Sequence, residues 1–258
     1  MELDRLLLWL ATLCFLGGAV MVLPMLRGTQ AHRSRVNLAV MLVGFLAICG
    51  NLWLRGEAQG RCPITDLSEV LVFVSWSCGL FYFLFGVSYQ LSLLGLFTAP
   101  LSVLLQGLAL LLWQPMPETA HPAHDYWLEL HAALSLLSFG ALALAGTAAW
   151  MFLLQDRLLK KRRLEDLSTA LPPIRLLGGA LFRLVAAGFA ILTIGIGSAY
   201  FMVATPSPAK LGLAYFVWGT YGVLLVLYLF ADLAARKFAL ATAFAALFSL
   251  LSLGVVAR

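Results

Sequence analysis

The sequence predicts an all-α, polytopic membrane protein, on the basis of its composition and of its long apolar runs. Of the 258 residues, 62% are hydrophobic and only 11% are charged, whereas a soluble domain has about 25% charged residues. The apolar residues form runs near the length of about 20 that a helix needs to cross a bilayer. We therefore expect the lipid bilayer to be the main partner. The clustered basic residues indicate orientation in the membrane and no nucleic-acid partner.

Eight segments are apolar enough to be predicted as transmembrane helices, and they leave no loop large enough for a soluble domain. Residues 1–258 are therefore expected to form a single transmembrane domain. The predicted spans are residues 5–26, 36–54, 67–87, 91–113, 126–154, 176–203, 211–231 and 237–256.

The basic residues predict that both termini are extracytoplasmic. Eleven of the 17 lysines and arginines fall in the first, fifth and seventh connections, and five fall on the opposite side. Cytoplasmic loops carry the excess of positive charge. Aromatic residues typical of a membrane interface lie at the outer ends of the predicted spans, namely Trp53, Trp113, Tyr126, Trp127 and Tyr215.

Two local patterns predict how particular helices begin and pack. Asp66 followed by Glu69 is typical of the start of a capped helix, so capping is the favoured role of Glu69. Three glycines of the sixth span, Gly188, Gly195 and Gly197, predict close helix packing.

The helix that begins near Tyr126 holds the best single candidate for a functional residue. His131 lies one to two turns inside it, above a stripe of small residues, and His121 and His124 precede it in a polar loop. The residues alone leave two roles open for His131, as a ligand that faces a cavity or as a side chain packed between helices. The His121–His124 pair is most simply a solvated loop.

The cysteines favour neither a redox motif nor covalent haem attachment. Cys14, Cys49 and Cys78 fall in predicted spans and Cys62 in a loop, and no C-x-x-C sequence occurs. A Cys49–Cys62 disulfide stays as an alternative if both residues lie near the oxidising face of the membrane.

Three stretches resemble the cytochrome c assembly family. The segment GRCPITDLSE that ends at Glu69 resembles the start of one of that family's spans. The sequence Trp127-Leu-Glu-Leu-His131 resembles its W-x-x-x-H helix, which carries an external haem-ligand histidine. The stretch from Leu171 through LLGGALFRLVAAGFAILTIGIGSAYF resembles the segment that follows, most closely in the HemX-like and YpjD-like branch.

The resemblance implies a haem-handling or haem-pathway accessory protein of the bacterial cytoplasmic membrane. It implies His131 as an axial haem ligand, with the second position either open or filled by His121, His124 or a methionine. Cationic partners for the haem propionates would be Arg55, Arg61 or Lys210. Other membrane proteins of haem handling or cytochrome c assembly would be the partners.

Two departures from the family pattern limit the expected activity. Residues 200–210 lack the tryptophan-rich WWD segment, and Phe230 stands where a second histidine is expected. We therefore expect no enzymatic cytochrome c synthetase activity from this chain alone. The alternatives are a non-enzymatic scaffold or regulator without haem, of the HemX-like kind, and a small-solute transporter.

The predicted topology is tested by reporter fusions. A fusion after Lys161 is expected to report the cytoplasm and a fusion after Pro117 the outside, because the basic loops stay on the cytoplasmic side. The opposite pattern would overturn the orientation.

Overall fold

The protein is built from eight long helices within the residues that the structure describes. The computed structural model describes residues 2–22, 31–87, 95–115, 125–161, 173–202 and 207–256. The helices are α1 Leu3–Val22, α2 Ala31–Gln59, α3 Leu67–Phe81, α4 Gly95–Leu111, α5 Tyr126–Lys161, α6 Ile174–Ser198, α7 Pro208–Phe230 and α8 Ala235–Val256. A π-helical segment, Tyr82–Val87, continues α3, and a 3₁₀ turn, Ala199–Phe201, continues α6.

Seven of these helices are long and apolar enough to cross a membrane, so the polytopic all-α class is confirmed. The exception is α4, which has 17 residues and is about 26 Å long at 1.5 Å per residue. The hydrocarbon core is about 30 Å thick. The predicted span at 91–113 begins in residues outside the described part, so the number of eight spans and the position of the termini stay predictions.

Helix α5 is the centre of the bundle. It has 36 residues, and 89% of its most apolar 18-residue stretch is buried inside the protein. It packs against α3, α6 and α8, while α1 packs against α2 and α4. Helix α3 also packs against α4. The first half of the bundle, α1 to α4, therefore meets the second half, α5 to α8, mainly at the contact between α3 and α5.

Small residues let the neighbours approach α5 closely. A Cβ atom added to Gly140 of α5 would lie 2.1 Å from Cβ of Ser77 on α3, and one added to Gly188 of α6 would lie 2.7 Å from Cδ2 of Leu142. At Gly195 the corresponding distance to Oγ of Ser135 is 3.2 Å. The predicted close packing is thus confirmed at Gly188 and Gly195.

Gly197 does not take part in this packing, so the prediction for it was wrong. None of the described residues lies within 4 Å of a Cβ built there. The reason is its position on the helix. Gly188 and Gly195 are seven residues apart and share the face of α6 that meets α5. Gly197 is two residues beyond Gly195, and residues two apart point to different sides of a helix, so Gly197 faces away from α5.

The aromatic residues at the predicted outer end differ in exposure. Tyr126 and Trp53 are 77% and 71% exposed, as side chains in a membrane interface are expected to be. Trp113 instead lies between two arginines inside the bundle, at 4.9 Å from the guanidinium carbon of Arg5 and 5.5 Å from that of Arg55.

The contact at Gly140 is expected to control the stability of the bundle. Gly140→Ala should lower the free energy of unfolding by about 1–3 kcal/mol, because α3 must move away from the added methyl group. The thermal unfolding midpoint in one detergent measures the effect. Gly107→Ala is the matched control, since nothing lies within 4 Å of its added Cβ. Equal loss in both variants would contradict this account.

Candidate functional site

The chemically distinctive side chains of the described residues lie at one end of the bundle. This end is formed by the first residues of α1, α3, α5 and α7 and by the last residues of α2, α4 and α6. It is the end that the basic residues predict to be extracytoplasmic. Two features stand out there, His131 on α5 and a buried ion-pair cluster around Arg55.

His131 is held by a carbonyl group of the neighbouring helix. Its ring is half-buried, and Nδ1 lies 2.7 Å from the carbonyl oxygen of Gly195 on α6. A carbonyl oxygen only accepts hydrogen bonds, so Nδ1 is the donor. In the neutral ring Nε2 then carries the lone pair. None of the described residues forms a hydrogen bond with Nε2. This is the arrangement that metal-ligating histidines usually adopt.

The Gly195 carbonyl is available because α6 tightens at its end. In a continuing α-helix it would accept from the backbone N–H of Ala199, but that N–H donates to the carbonyls of Ile196 and Gly197 instead. The Oγ–H of Ser198 donates to the Gly195 carbonyl at 2.6 Å. The missing side chain of Gly195 lets this part of α6 approach Ser135 of α5.

An aromatic pair lies at the same end of the bundle as His131. Trp127 is one helical turn before His131 on the same face of α5, and its ring is 4.8 Å from that of Phe201. The pair therefore joins the start of α5 to the turn that follows α6.

Arg55 is the centre of a buried ion-pair cluster. Its side chain is 4% exposed, and it donates from Nε to Oδ2 of Asp4 and from Nη1 to Oε1 of Glu69, both at 2.9 Å. Nη2 donates to the backbone carbonyl of Gln114 at 2.6 Å. All three guanidinium nitrogens are therefore engaged inside the protein. For Arg55 to bind a haem propionate, as the family resemblance implies, this cluster would have to break.

Glu69 both caps α3 and belongs to the cluster. The backbone N–H of Glu69 donates to Oδ1 of Asp66 at 2.7 Å, and Oε2 of Glu69 accepts from the backbone N–H of Thr65 at 2.8 Å. The predicted capping role is thus confirmed. The sequence did not indicate Asp4 as a partner of Arg55. The available signal was the position of Arg55 directly after the predicted span 36–54, because a charge so close to an apolar run needs a partner.

A loop contact connects the cluster with the helix of His131. The backbone N–H of Cys62 donates to Oε2 of Glu129 at 3.4 Å, two residues before His131. Burial raises the pKa of the Cys62 thiol to about 11, and the carboxylates of Glu129 and Glu69 add to this shift. Cys62 is therefore a neutral thiol near neutral pH.

The alternative Cys49–Cys62 disulfide is not formed. All four cysteines are free, and the Cys49 sulfur accepts a hydrogen bond from the indole of Trp76 on α3 at 3.3 Å. Cys49 thus faces α3 within the bundle, whereas Cys62 lies in the loop at its end.

Among the residues that the structure describes, neither Arg61 nor Lys210 forms a hydrogen bond with His131. His121 and His124 lie outside the described residues. Arg61 is half-buried in the loop that follows α2, and Lys210 lies in the first turn of α7. Within the described part of the chain, no group of three or more His, Cys, Asp or Glu side chains could hold a metal ion.

One open pocket lies beside the Arg55 cluster, against Asp4 and Glu57. His131 does not line it. A cavity that His131 would face therefore stays a prediction.

Removal of Arg55 is expected to destabilise the protein strongly. Arg55→Ala should cost about 3–5 kcal/mol, because it leaves two carboxylates buried without their cation. Adding Asp4→Asn should recover part of this loss. Lys160→Ala is the control, since its pair with Asp156 is exposed and such pairs contribute about 0–1 kcal/mol. Thermal unfolding in detergent provides the comparison, and similar losses for both arginine and lysine variants would refute the cluster's role.

Comparison with known proteins gives the same family as the sequence motifs. The family described as cytochrome C assembly protein matches residues 64–257, from the start of α3 to the end of α8. The cytochrome c biogenesis protein CcsA of Chlamydomonas reinhardtii is 27% identical over 154 residues, which cover 56% of this chain and 42% of that protein.

Two plant proteins of the same description are also similar. CcsA of Ranunculus macranthus is 35% identical over 106 residues, and CcsA of Capsella bursa-pastoris is 34% identical over 110 residues. Each match covers 40% of this chain and about a third of the relative. The chain thus spans between a third and about two fifths of the curated relatives that it matches. Because the family match covers about three quarters of its length, the chain belongs to the cytochrome c assembly protein family.

Proposed function

We propose that the protein handles haem at the outer end of its bundle, with Nε2 of His131 as an axial ligand to the iron. The observation that carries the proposal is the hydrogen bond from Nδ1 of His131 to the Gly195 carbonyl. It leaves the lone pair of the neutral ring on Nε2, and imidazole nitrogen is a common ligand of haem iron. The membership in the cytochrome c assembly family supports this role.

The residues of this chain fit one axial ligand. The carbonyl of Gly195 and the close approach of α6 orient the imidazole ring, and the aromatic rings of Trp127 and Phe201 lie at the same end of the bundle. A bound haem would supply redox chemistry at its iron. Arg61 and Lys210 are the proposed partners for its propionates, because Arg55 is committed to Asp4 and Glu69.

The proposed setting is a bacterial cytoplasmic membrane, crossed eight times, with both termini outside. The chain is proposed not to be a cytochrome c synthetase by itself, because it lacks the tryptophan-rich segment and has Phe230 in place of a second histidine. It would act with other membrane proteins of haem handling or cytochrome c assembly, to which it would present or from which it would receive haem.

The second candidate function is a haem-free membrane scaffold or regulator. The observation that favours it is the internal use of Arg55, because a cation at this end serves to join helices and not to bind a ligand. In that case the His131–Gly195 hydrogen bond would be a packing contact between α5 and α6.

A haem titration of the purified protein distinguishes the two functions. The wild-type protein should shift the Soret band, and His131→Ala should weaken binding by about tenfold or more, since even the loss of an outer-shell partner costs 10–100-fold. Thr147→Ala is the control, because this half-buried hydroxyl lies 16 positions beyond His131 on α5 and donates within that helix, to the Leu144 carbonyl.

Each of the other outcomes has a definite meaning. Equal affinity of the wild type and His131→Ala would remove His131 as the ligand. No binding by wild-type protein that unfolds cooperatively would support the scaffold function instead.

A further inference from the structure

We propose that Ser198 is a positioning residue for His131, acting through the carbonyl group that the two side chains share. Nδ1 of His131 lies 2.7 Å and Oγ of Ser198 lies 2.6 Å from the same oxygen, that of Gly195. This inference rests on the proposed function of His131 as a haem ligand, and it assigns to Ser198 the control of how that ligand is held.

The local backbone makes the shared carbonyl a strong acceptor. The backbone N–H of Ala199 donates to the carbonyls of Ile196 and Gly197 and not to that of Gly195. The side chains of His131 and Ser198 therefore take the place of the α-helical donor to the Gly195 carbonyl. The carbonyl lies in the last turn of α6, where the helix carries partial negative charge. Ser198 is 6% exposed, and electrostatic effects are larger in such a poorly hydrated environment than in water.

Two donors on one oxygen weaken each other. A carbonyl oxygen has two lone pairs, and each donor withdraws electron density that the other would otherwise use. Without the Ser198 hydroxyl, the hydrogen bond from Nδ1 of His131 should become stronger. A stronger bond at Nδ1 increases the electron density at Nε2 and improves it as a metal ligand, as the outer-shell partners of ligating histidines generally do.

A graded series of substitutions at Ser198 separates this role from a purely structural one. Ser198→Thr keeps a hydroxyl that can bond the carbonyl three residues earlier. Ser198→Cys offers a weak S–H donor, and Ser198→Ala offers none. The hydrogen bond from Nδ1 of His131 to the Gly195 carbonyl should therefore become stronger in the order Thr, Cys, Ala. Loss of packing alone does not predict that order.

The matched control is Ser252→Ala on α8. The Ser252 hydroxyl also donates to the carbonyl three residues earlier, that of Ser249, at 2.6 Å. It is 5% exposed, so the two serines have nearly the same burial and geometry. Among the described residues, no histidine donates to the Ser249 carbonyl. Ser252→Ala should leave the His131 signals unchanged.

The first readout needs no haem. In protein labelled with ¹⁵N-histidine, the resonances that disappear in His131→Ala belong to His131. The wild-type ring should be protonated at Nδ1, and the Nδ1–H proton should move progressively downfield from Ser198→Thr to Ser198→Ala. A ring protonated only at Nε2, or a proton shift that is the same in all Ser198 variants, would overturn the proposal.

The second readout is the haem-loaded protein. Ser198→Ala should raise the ratio of ferric to ferrous haem affinity at least about threefold, which lowers the midpoint potential by about 28 mV for a one-electron couple. An unchanged potential in the alanine variant, or an equal change in Ser252→Ala, would also overturn the proposal. If wild-type protein binds no haem, the proposed function fails, and the NMR series still decides whether Ser198 controls the His131 hydrogen bond.

Discussion

The end of the bundle that carries the candidate site depends on the need to neutralise Arg55 away from water. A buried cation is costly unless its charge and its hydrogen-bond donors are matched. Here the match comes from Asp4 of α1, Glu69 of α3 and the backbone carbonyl of Gln114 after α4. A single guanidinium on α2 therefore joins the start of α1, the start of α3 and the chain just after α4.

This cluster also affects the half of the bundle that carries the candidate site. Glu69 caps α3 and bonds Thr65, and the loop before it reaches α5 through the hydrogen bond from Cys62 to Glu129. Below that level, Gly140 brings α3 and α5 into direct contact. The position of α5, and with it His131, is thus supported both by a polar network at this end of the bundle and by close packing further along the helices.

The family match and the cluster cover different parts of the chain. The cytochrome C assembly match begins at residue 64, so it includes Glu69 and His131 but leaves Asp4 and Arg55 outside. The first two helices nevertheless supply Asp4 and Arg55, which complete the cluster. Since the chain spans only part of its curated relatives, their activity is not transferred whole. What the structure shows of the candidate site is one histidine that is oriented by a neighbouring helix.

The sequence by itself determined the features that depend on local or periodic patterns. Apolar runs predicted a membrane protein made of helices, Asp66 and Glu69 predicted a capped helix start, and the motif around Trp127 and His131 indicated the family. What only the tertiary structure decided are partnerships between distant residues. Arg55 pairs with Asp4, 51 positions away, and His131 bonds the carbonyl of Gly195, 64 positions away. Such pairs depend on the order and depth at which helices pack, and Gly197 illustrates that a small residue alone does not reveal which face meets a neighbour. A helix pattern is set by neighbouring residues, whereas the partner of a buried charge or ring is set by packing among many helices at once.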